Sequence, residues 1–205
     1  MNASNPFSFA NPAARSSLLS RRRRRALEDP ATMTPDELRA KIREIPDFPK
    51  PGILFYDITT LLKDRVAYKA AIDAMLAPYA DQKVDVVVGM ESRGFIFSAP
   101  MAYQLGAGLV PVRKLGKLPA ETISVEYALE YGSNTLEVHR DAIEPGQRVL
   151  IVDDLLATGG TVRGTVELVQ RLRGEIVGLA FLVELTFLRG RDRLADQPVS
   201  AVVRY

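Results

Sequence analysis

Asp153 and Asp154 stand side by side in this chain, and four residues after them comes Thr158-Gly159-Gly160-Thr161. Two hydroxyls, two glycines and the free N–H groups that open a helix suit a phosphate, because they combine many donors with close backbone approach. Ala157 adds a small residue at the start of that turn. Two carboxylates beside a bare phosphate would repel it. They suit a ligand that also carries hydroxyls, a cation or a developing positive charge next to its phosphate. A ribose 5-phosphate offers vicinal hydroxyls, and its anomeric carbon becomes cationic when a leaving group departs. Neither G-x-x-x-x-G-K-[ST] nor G-x-G-x-x-G is present, so a triphosphatase loop and a dinucleotide loop are both excluded. The plain alternative is a buried strand that ends in a helix-capping aspartate.

Holding these groups requires a strand before them and a helix behind them. Residues 149–152 are four apolar residues, the pattern of a strand buried on both faces. Val166, Leu168, Val169 and Leu172 then fit a helix over 162–172. The same construction recurs upstream. Residues 84–88 read as a buried strand, and Glu91-Ser92-Arg93-Gly94 follows it into a helix over 95–105. A strand over 109–112 ends in Arg113 and Lys114, with Lys117 close behind. Cations converging on one sheet edge suit a pyrophosphate, since arginine forks onto its oxygens and lysine adds point charge.

Thr34-Pro35-Asp36-Glu37 is a capping box with proline at the first helical position. The spacing of Leu38, Ile42 and Ile45 predicts a short helix running up to Pro46. A proline-rich turn and Ile53-Leu54-Phe55-Tyr56 follow, then a helix over 67–79. Residues 116–135 carry mixed β character with no strong core pattern, and further strands are expected over 176–185 and 199–203. Strands alternating with helices predict an α/β fold, a doubly wound, largely parallel sheet flanked by helices, with ligands bound beyond the carboxyl ends of the strands.

The Asp153–Thr161 segment resembles the PRPP (phosphoribosyl pyrophosphate) motif of the type I phosphoribosyltransferases. Further segments narrow the resemblance to the adenine phosphoribosyltransferases over residues 45–194: Pro46-Asp47-Phe48-Pro49, Pro51-Gly52-Ile53-Leu54-Phe55, Glu91-Ser92-Arg93-Gly94-Phe95, Arg113-Lys114, Gly116-Lys117-Leu118-Pro119, Leu129-Glu130-Tyr131-Gly132 and Val183-Glu184-Leu185. Tyr56 departs from the arginine that many members carry there. The resemblance implies a small hood, a mobile active-site loop near residues 118–131, and transfer of a 5-phosphoribosyl group from PRPP to adenine. It implies an apolar adenine slot of Leu54, Phe55 and Leu156, with main-chain groups around residues 54–56, Tyr56 included, reading the base edge. It implies that Ala157 to Thr161 hold the 5-phosphate, and that Ser92, Arg93, Arg113, Lys114 and Lys117 hold the pyrophosphate. Glu130 would approach adenine N7, and Asp153 and Asp154 would hold ribose hydroxyls and favour a cationic transition state. A cis peptide between Glu91 and Ser92 is likewise implied, as are a homodimer and Mg²⁺ carried on the pyrophosphate and ribose hydroxyls rather than caged by protein. One of Arg113 or Lys114 would reach the neighbouring subunit's site.

Among 205 residues there is no cysteine and a single histidine, which excludes disulfides, thiolate metal sites and a cysteine nucleophile. His139 has no triad or metal set around it, and Glu126, Glu130 and Glu137 lack metal-ligand spacing. Tyr103, Tyr127 and Tyr131 read as packing or loop anchors. The net charge of +2 is set by the first 27 residues, which hold six arginines and no acid. The remainder carries 21 basic and 25 acidic residues, which gives no reason to expect a nucleic-acid-binding core. Residues 1–32 read as a disordered tail, and residues 33–205 as the catalytic domain. The tail's arginines fit a solvated extension, a targeting presequence or a nucleic-acid-binding arm. No apolar run is long enough to span a bilayer, and a cytoplasmic enzyme is expected. The rivals are a transferase for hypoxanthine, guanine or xanthine, and a PRPP-sensing regulator without catalysis.

Overall fold

Thr34 caps the first helix as its sequence predicts. Its hydroxyl accepts from Glu37 N at 3.2 Å, and the Glu37 carboxylate accepts from Thr34 N at 2.8 Å. The computed structural model describes residues 32–128 and 133–205. The basic tail and Glu130 therefore lie outside the described residues. The capped helix, α1 (Pro35–Arg39), is shorter than expected. Arg43–Ile45 forms β1 instead, antiparallel to β2 (Phe55–Asp57). Asp57 explains the change. It is buried, accepts from Arg43 Nε at 3.1 Å, and accepts from Thr59 N and Thr59 Oγ1 at 2.9 and 2.8 Å. Led by the Arg43 bond, these donors hold its pKa down to about 2. Cross-strand pairing thereby overrides the helical spacing of Ile42 and Ile45.

Two helices follow, α2 (Thr59–Leu62) and α3 (Arg65–Leu76), the second capped by the Asp64 carboxylate. The remaining elements are β3 (Val86–Met90), α4 (Gly94–Leu105), β4 (Gly108–Lys114), β5 (Thr122–Ala128), β6 (Ser133–His139), β7 (Arg148–Leu156), α5 (Gly160–Arg171), β8 (Glu175–Glu184) and β9 (Val199–Arg204). The larger sheet runs β5-β6-β4-β3-β7-β8-β9. From β4 to β9 its neighbours are parallel, while β5 and β6 form an antiparallel hairpin on one edge. The α/β, largely parallel prediction holds, and the weakly patterned 116–135 region supplies the antiparallel part. The hairpin's sparse core residues, Val125, Leu136 and Val138, are buried on the face that α5 covers.

Each face of the sheet has its own core. Leu150, Val152, Ala180 and Leu182 pack with Phe97 and Met101 of α4 and Ala71 and Met75 of α3. Val149, Ile151, Leu179 and Phe181 pack with Val162, Val166 and Val169 of α5. Apolar side chains on both faces are what a central parallel strand requires. The chain leaves β3 into α4 and β7 into α5, so both helix N-termini open at the same sheet edge.

Candidate active site

The expected strand over 149–152 is longer in the structure. β7 continues through the diacid because β8 continues beside it, with Asp153 opposite Phe181 and Leu156 opposite Glu184. Asp153 and Asp154 are thus part of the sheet, not of the turn beyond it. Asp154 is 4 % exposed, and its main-chain N–H donates to Asp153 Oδ1 at 2.9 Å. Arg93 Nε lies 2.9 Å from Asp154 Oδ2 but is not aligned to donate to it. That buried oxygen has an opposite charge beside it and no hydrogen bond. Burial, then the charge of Asp154, pushes the Asp153 carboxyl well above the usual range. Burial also raises Asp154, with Arg93 opposing. Gly94 lets the start of α4 come this close, since a Cβ there would stand 2.7 Å from Asp153 Oδ1.

Beyond β7 the chain turns through Ala157 and Thr158 to Gly159, whose φ of 80° favours glycine, and α5 begins at Gly160. The first-turn N–H groups have no partner within the helix and point out from its end. Thr161 Oγ1 lies 3.4 Å from the Tyr127 hydroxyl. Behind the turn sits Gly190. A Cβ on Gly159 would lie 2.6 Å from Gly190 O, and one on Gly190 only 2.1 Å from Ala157 O. Arg191 fixes that second segment. Its Nε and Nη2 donate to the buried Glu184 at 2.8 and 2.6 Å, and its Nη1 donates to Val199 O at 2.9 Å.

Beside the diacid lies an aromatic surface. The Arg93 guanidinium is 5.5 Å from the centre of the Phe55 ring, and Phe48 meets that ring edge-on at 5.1 Å. Leu54 is exposed on the same segment. Tyr56 turns its side chain into the core, 4.1 Å from the Tyr205 ring, leaving only main chain for a ligand. Leu156 corrects the expectation drawn for it. It is fully buried in the core beneath α5 and offers no surface to a base. Leu155 is half-buried against the opposite core, the one that contains Tyr56. Strict alternation from Val149 would assign these two leucines the other way round. The pleat slips at the diacid, and the sequence carries no signal of it.

The expected pyrophosphate cations form a second group. Glu91 Oε2 accepts from Arg113 Nε at 3.1 Å and from Lys114 N at 3.2 Å, while Arg113 Nη1 donates to Lys117 O at 3.0 Å. Burial works to raise the Glu91 pKa, but Arg113 and the Lys114 N–H outweigh it and the net shift is downward. Lys114 and Lys117 are exposed. Glu91 joins the two groups directly, because the Glu91–Ser92 peptide, cis as expected, leads into Arg93. Glu91 and Gly190 are structural members of this site that residue type alone did not single out.

A phosphoribosyl transferase domain family model matches residues 59–201. The chain is 60% identical to an adenine phosphoribosyltransferase of Acidobacterium capsulatum over 170 residues, covering 83% of this chain and 94% of that one. The crystal structure of an adenine phosphoribosyltransferase from Rhodothermus marinus superposes with a TM-score of 0.79 at 52% identity, covering 89% of this chain and 99% of that one. The Saccharomyces cerevisiae enzyme of the same name, complexed with an imino-altritol bisphosphate and adenine, superposes at 0.78 with 40% identity, covering 82% and 98%.

Proposed function

The chain belongs to the adenine phosphoribosyltransferases, and from that premise we propose how its site carries out the transfer. It moves the 5-phosphoribosyl group of PRPP to adenine, giving AMP and pyrophosphate. The observation that carries this reading is the meeting of Asp154, Arg93 and Phe55. Carboxylate for sugar hydroxyls, guanidinium for an anion and ring face for a flat base stand within one short reach.

In this reading the N–H groups opening α5, with Thr158, Gly159, Gly160 and Thr161, hold the 5-phosphate. Asp153 and Asp154 accept from the ribose hydroxyls and stabilise positive charge at the anomeric carbon as its bond to pyrophosphate breaks. Arg93, Arg113, Lys114 and Lys117 receive the charge that accumulates on the departing pyrophosphate. Adenine lies on Phe55, with Leu155 in the place first assigned to Leu156, so that N9 faces the anomeric carbon. Glu130 takes the proton that adenine must lose. No covalent enzyme intermediate is required.

Among the described residues no three of His, Asp and Glu gather into a metal cage. The two carboxylates, with Asp154 Oδ2 free of hydrogen bonds, fit Mg²⁺ held mainly by ligand oxygens and water, and Asp153 and Asp154 would accept from that shell. When bound it neutralises pyrophosphate charge. We further read the protein as a cytoplasmic homodimer. Among the described residues no helix is long and apolar enough to cross a membrane.

The test is incubation of the purified protein with PRPP, Mg²⁺ and each purine in turn. AMP from adenine is expected. IMP or GMP formed in its place overturns the base assignment, and PRPP binding without turnover of any base overturns the enzyme.

A further inference from the structure

Glu137 lies in β6 with 3 % of its surface exposed, and a carboxylate so buried must be answered by donors. Its Oε1 accepts from Lys117 N and from Leu118 N, both at 2.9 Å, and Thr122 Oγ1 is 3.5 Å from its Oε2. Gly116, at φ 77°, turns its own N–H toward the same carboxylate. Burial works to raise the Glu137 pKa, yet the N–H groups of Leu118, Lys117 and Gly116 outweigh it and the net shift is downward. The group is therefore ionised at neutral pH. Successive main-chain N–H groups around one anion form the concavity that phosphates occupy in other proteins. In this chain the protein supplies the anion itself.

The same segment is held from its other side. Arg113 donates to Lys117 O at 3.0 Å, Leu115 N to Thr135 O at 3.1 Å, and His139 Nε2 lies 2.5 Å from Pro119 O. The Lys117 residue thus has its N–H on Glu137 and its carbonyl on Arg113, while its side chain stays exposed. A flexible lysine stem reaches a reproducible point only when its backbone is fixed.

We propose that Glu137 is a positioning residue for the leaving group. It sets the main chain of residues 116–118, and through it the place of the Lys117 ammonium and the fork of Arg113. This rests on the reading of Arg113 and Lys117 as pyrophosphate contacts. Loss of a carboxylate that only stabilised the fold would lower stability and leave substrate affinities alone.

The experiment is a double-mutant cycle in the full chain, with KM for PRPP, KM for adenine and kcat measured for Glu137→Ala, Glu137→Gln, Lys117→Ala and the Glu137→Ala/Lys117→Ala pair. Glu137→Ala should raise KM for PRPP about ten-fold, with KM for adenine held within about two-fold. Glu137→Gln keeps one carbonyl oxygen for the two N–H groups and should recover most of that loss. Adding Lys117→Ala to Glu137→Ala should cost less than it does in the wild type, because the lysine is already misplaced. A Lys117→Ala defect alongside a normal KM for PRPP in Glu137→Ala overturns the proposal, as does full independence of the two. A Lys117→Ala variant with unchanged PRPP affinity overturns the underlying reading of Lys117, and the proposal with it. Urea unfolding of each variant accompanies the kinetics. If Glu137→Ala does not fold, Glu137→Gln decides, with an intermediate rise in KM for PRPP supporting the proposal and no rise overturning it.

Discussion

Asp153 and Asp154 are held where ionisation is unfavourable. Burial and mutual repulsion raise the Asp153 carboxyl, and Arg93 relieves only part of the strain on its neighbour. The pair titrates as a unit. Because the folded state binds its proton more tightly than the unfolded chain, the diacid favours the fold below the ordinary carboxyl pKa, near 4. That advantage is lost as pH rises through the raised folded value. In the Asp153→Asn variant the new amide stays neutral and keeps an oxygen for Asp154 N. The variant should therefore melt a few degrees above wild type at pH 7 to 8, with the gap closing as pH falls toward 4. Its kcat/KM should fall by about 10²-fold, since a charge that balances the cationic sugar is gone. Equal melting at pH 8, or retained activity, would sink this account. Ligand binding that draws the pair into its ionised form should also weaken as pH falls, visible as a rising KM for PRPP. The residue types of this centre were legible in the sequence because adjacent carboxylates before Thr-Gly-Gly-Thr have few other uses. Leu155 was not legible, because its orientation depends on a slip in the pleat that follows from β8 alongside.

At the level of elements, the phosphate turn depends on a segment that looks inert in sequence. Gly190 backs onto Ala157 and Gly159 with room for no further atom, and the Arg191–Glu184 pair holds it there. The Arg191 bond lowers the Glu184 pKa despite burial, so this clasp is intact at neutral pH and lost only when Glu184 is protonated in acid. A methyl group at Gly190 must push backbone, not a flexible side-chain end. Gly190→Ala should therefore raise KM for PRPP about ten-fold or more and destabilise by about 1–3 kcal/mol, with KM for adenine changed far less. Parallel measurement of both KM values and of urea unfolding checks it, and an unchanged KM for PRPP would show the turn to be independent of its backing. Element types were read well wherever burial imposed a pattern, as in β7, α5 and β8. They were misread where a single polar pairing decided, as at Arg43–Ile45, which Asp57 draws into a strand. The β5–β6 hairpin gave little pattern because its inward residues are few.

For the whole molecule, the outward face of α4 is apolar where a surface helix is usually polar. Ile96, Ala99 and Tyr103 fall on one stripe, spaced three and four apart, with Tyr103 87 % exposed. Leu109, at the start of the neighbouring strand β4, is exposed as well. Both elements lead to the site: α4 begins one residue after Arg93, and β4 ends at Arg113 and Lys114. Ile96, in the first turn of α4, lies at the end of this face nearest the leaving-group cations, while Tyr103 and Leu109 mark its far end. A second copy covering the face from end to end would therefore reach those cations, which suits the proposed homodimer and the sharing of one cation between subunits. A carboxylate set into an apolar contact costs several kcal/mol. With about 1.4 kcal/mol per decade of affinity, Ile96→Glu/Tyr103→Glu should weaken association by at least about 10³-fold. Sedimentation should then give a monomer at micromolar protein where the wild type gives a dimer. The variant's circular dichroism should be unchanged, because neither side chain supports the core. If one subunit completes the other's site, KM for PRPP should rise in the monomer, and wild-type specific activity should fall on dilution below the dimer's Kd. A wild type that sediments as a monomer at micromolar concentration with full activity would refute the shared site, and each chain's Arg113 and Lys114 would then serve its own phosphoribosyl donor.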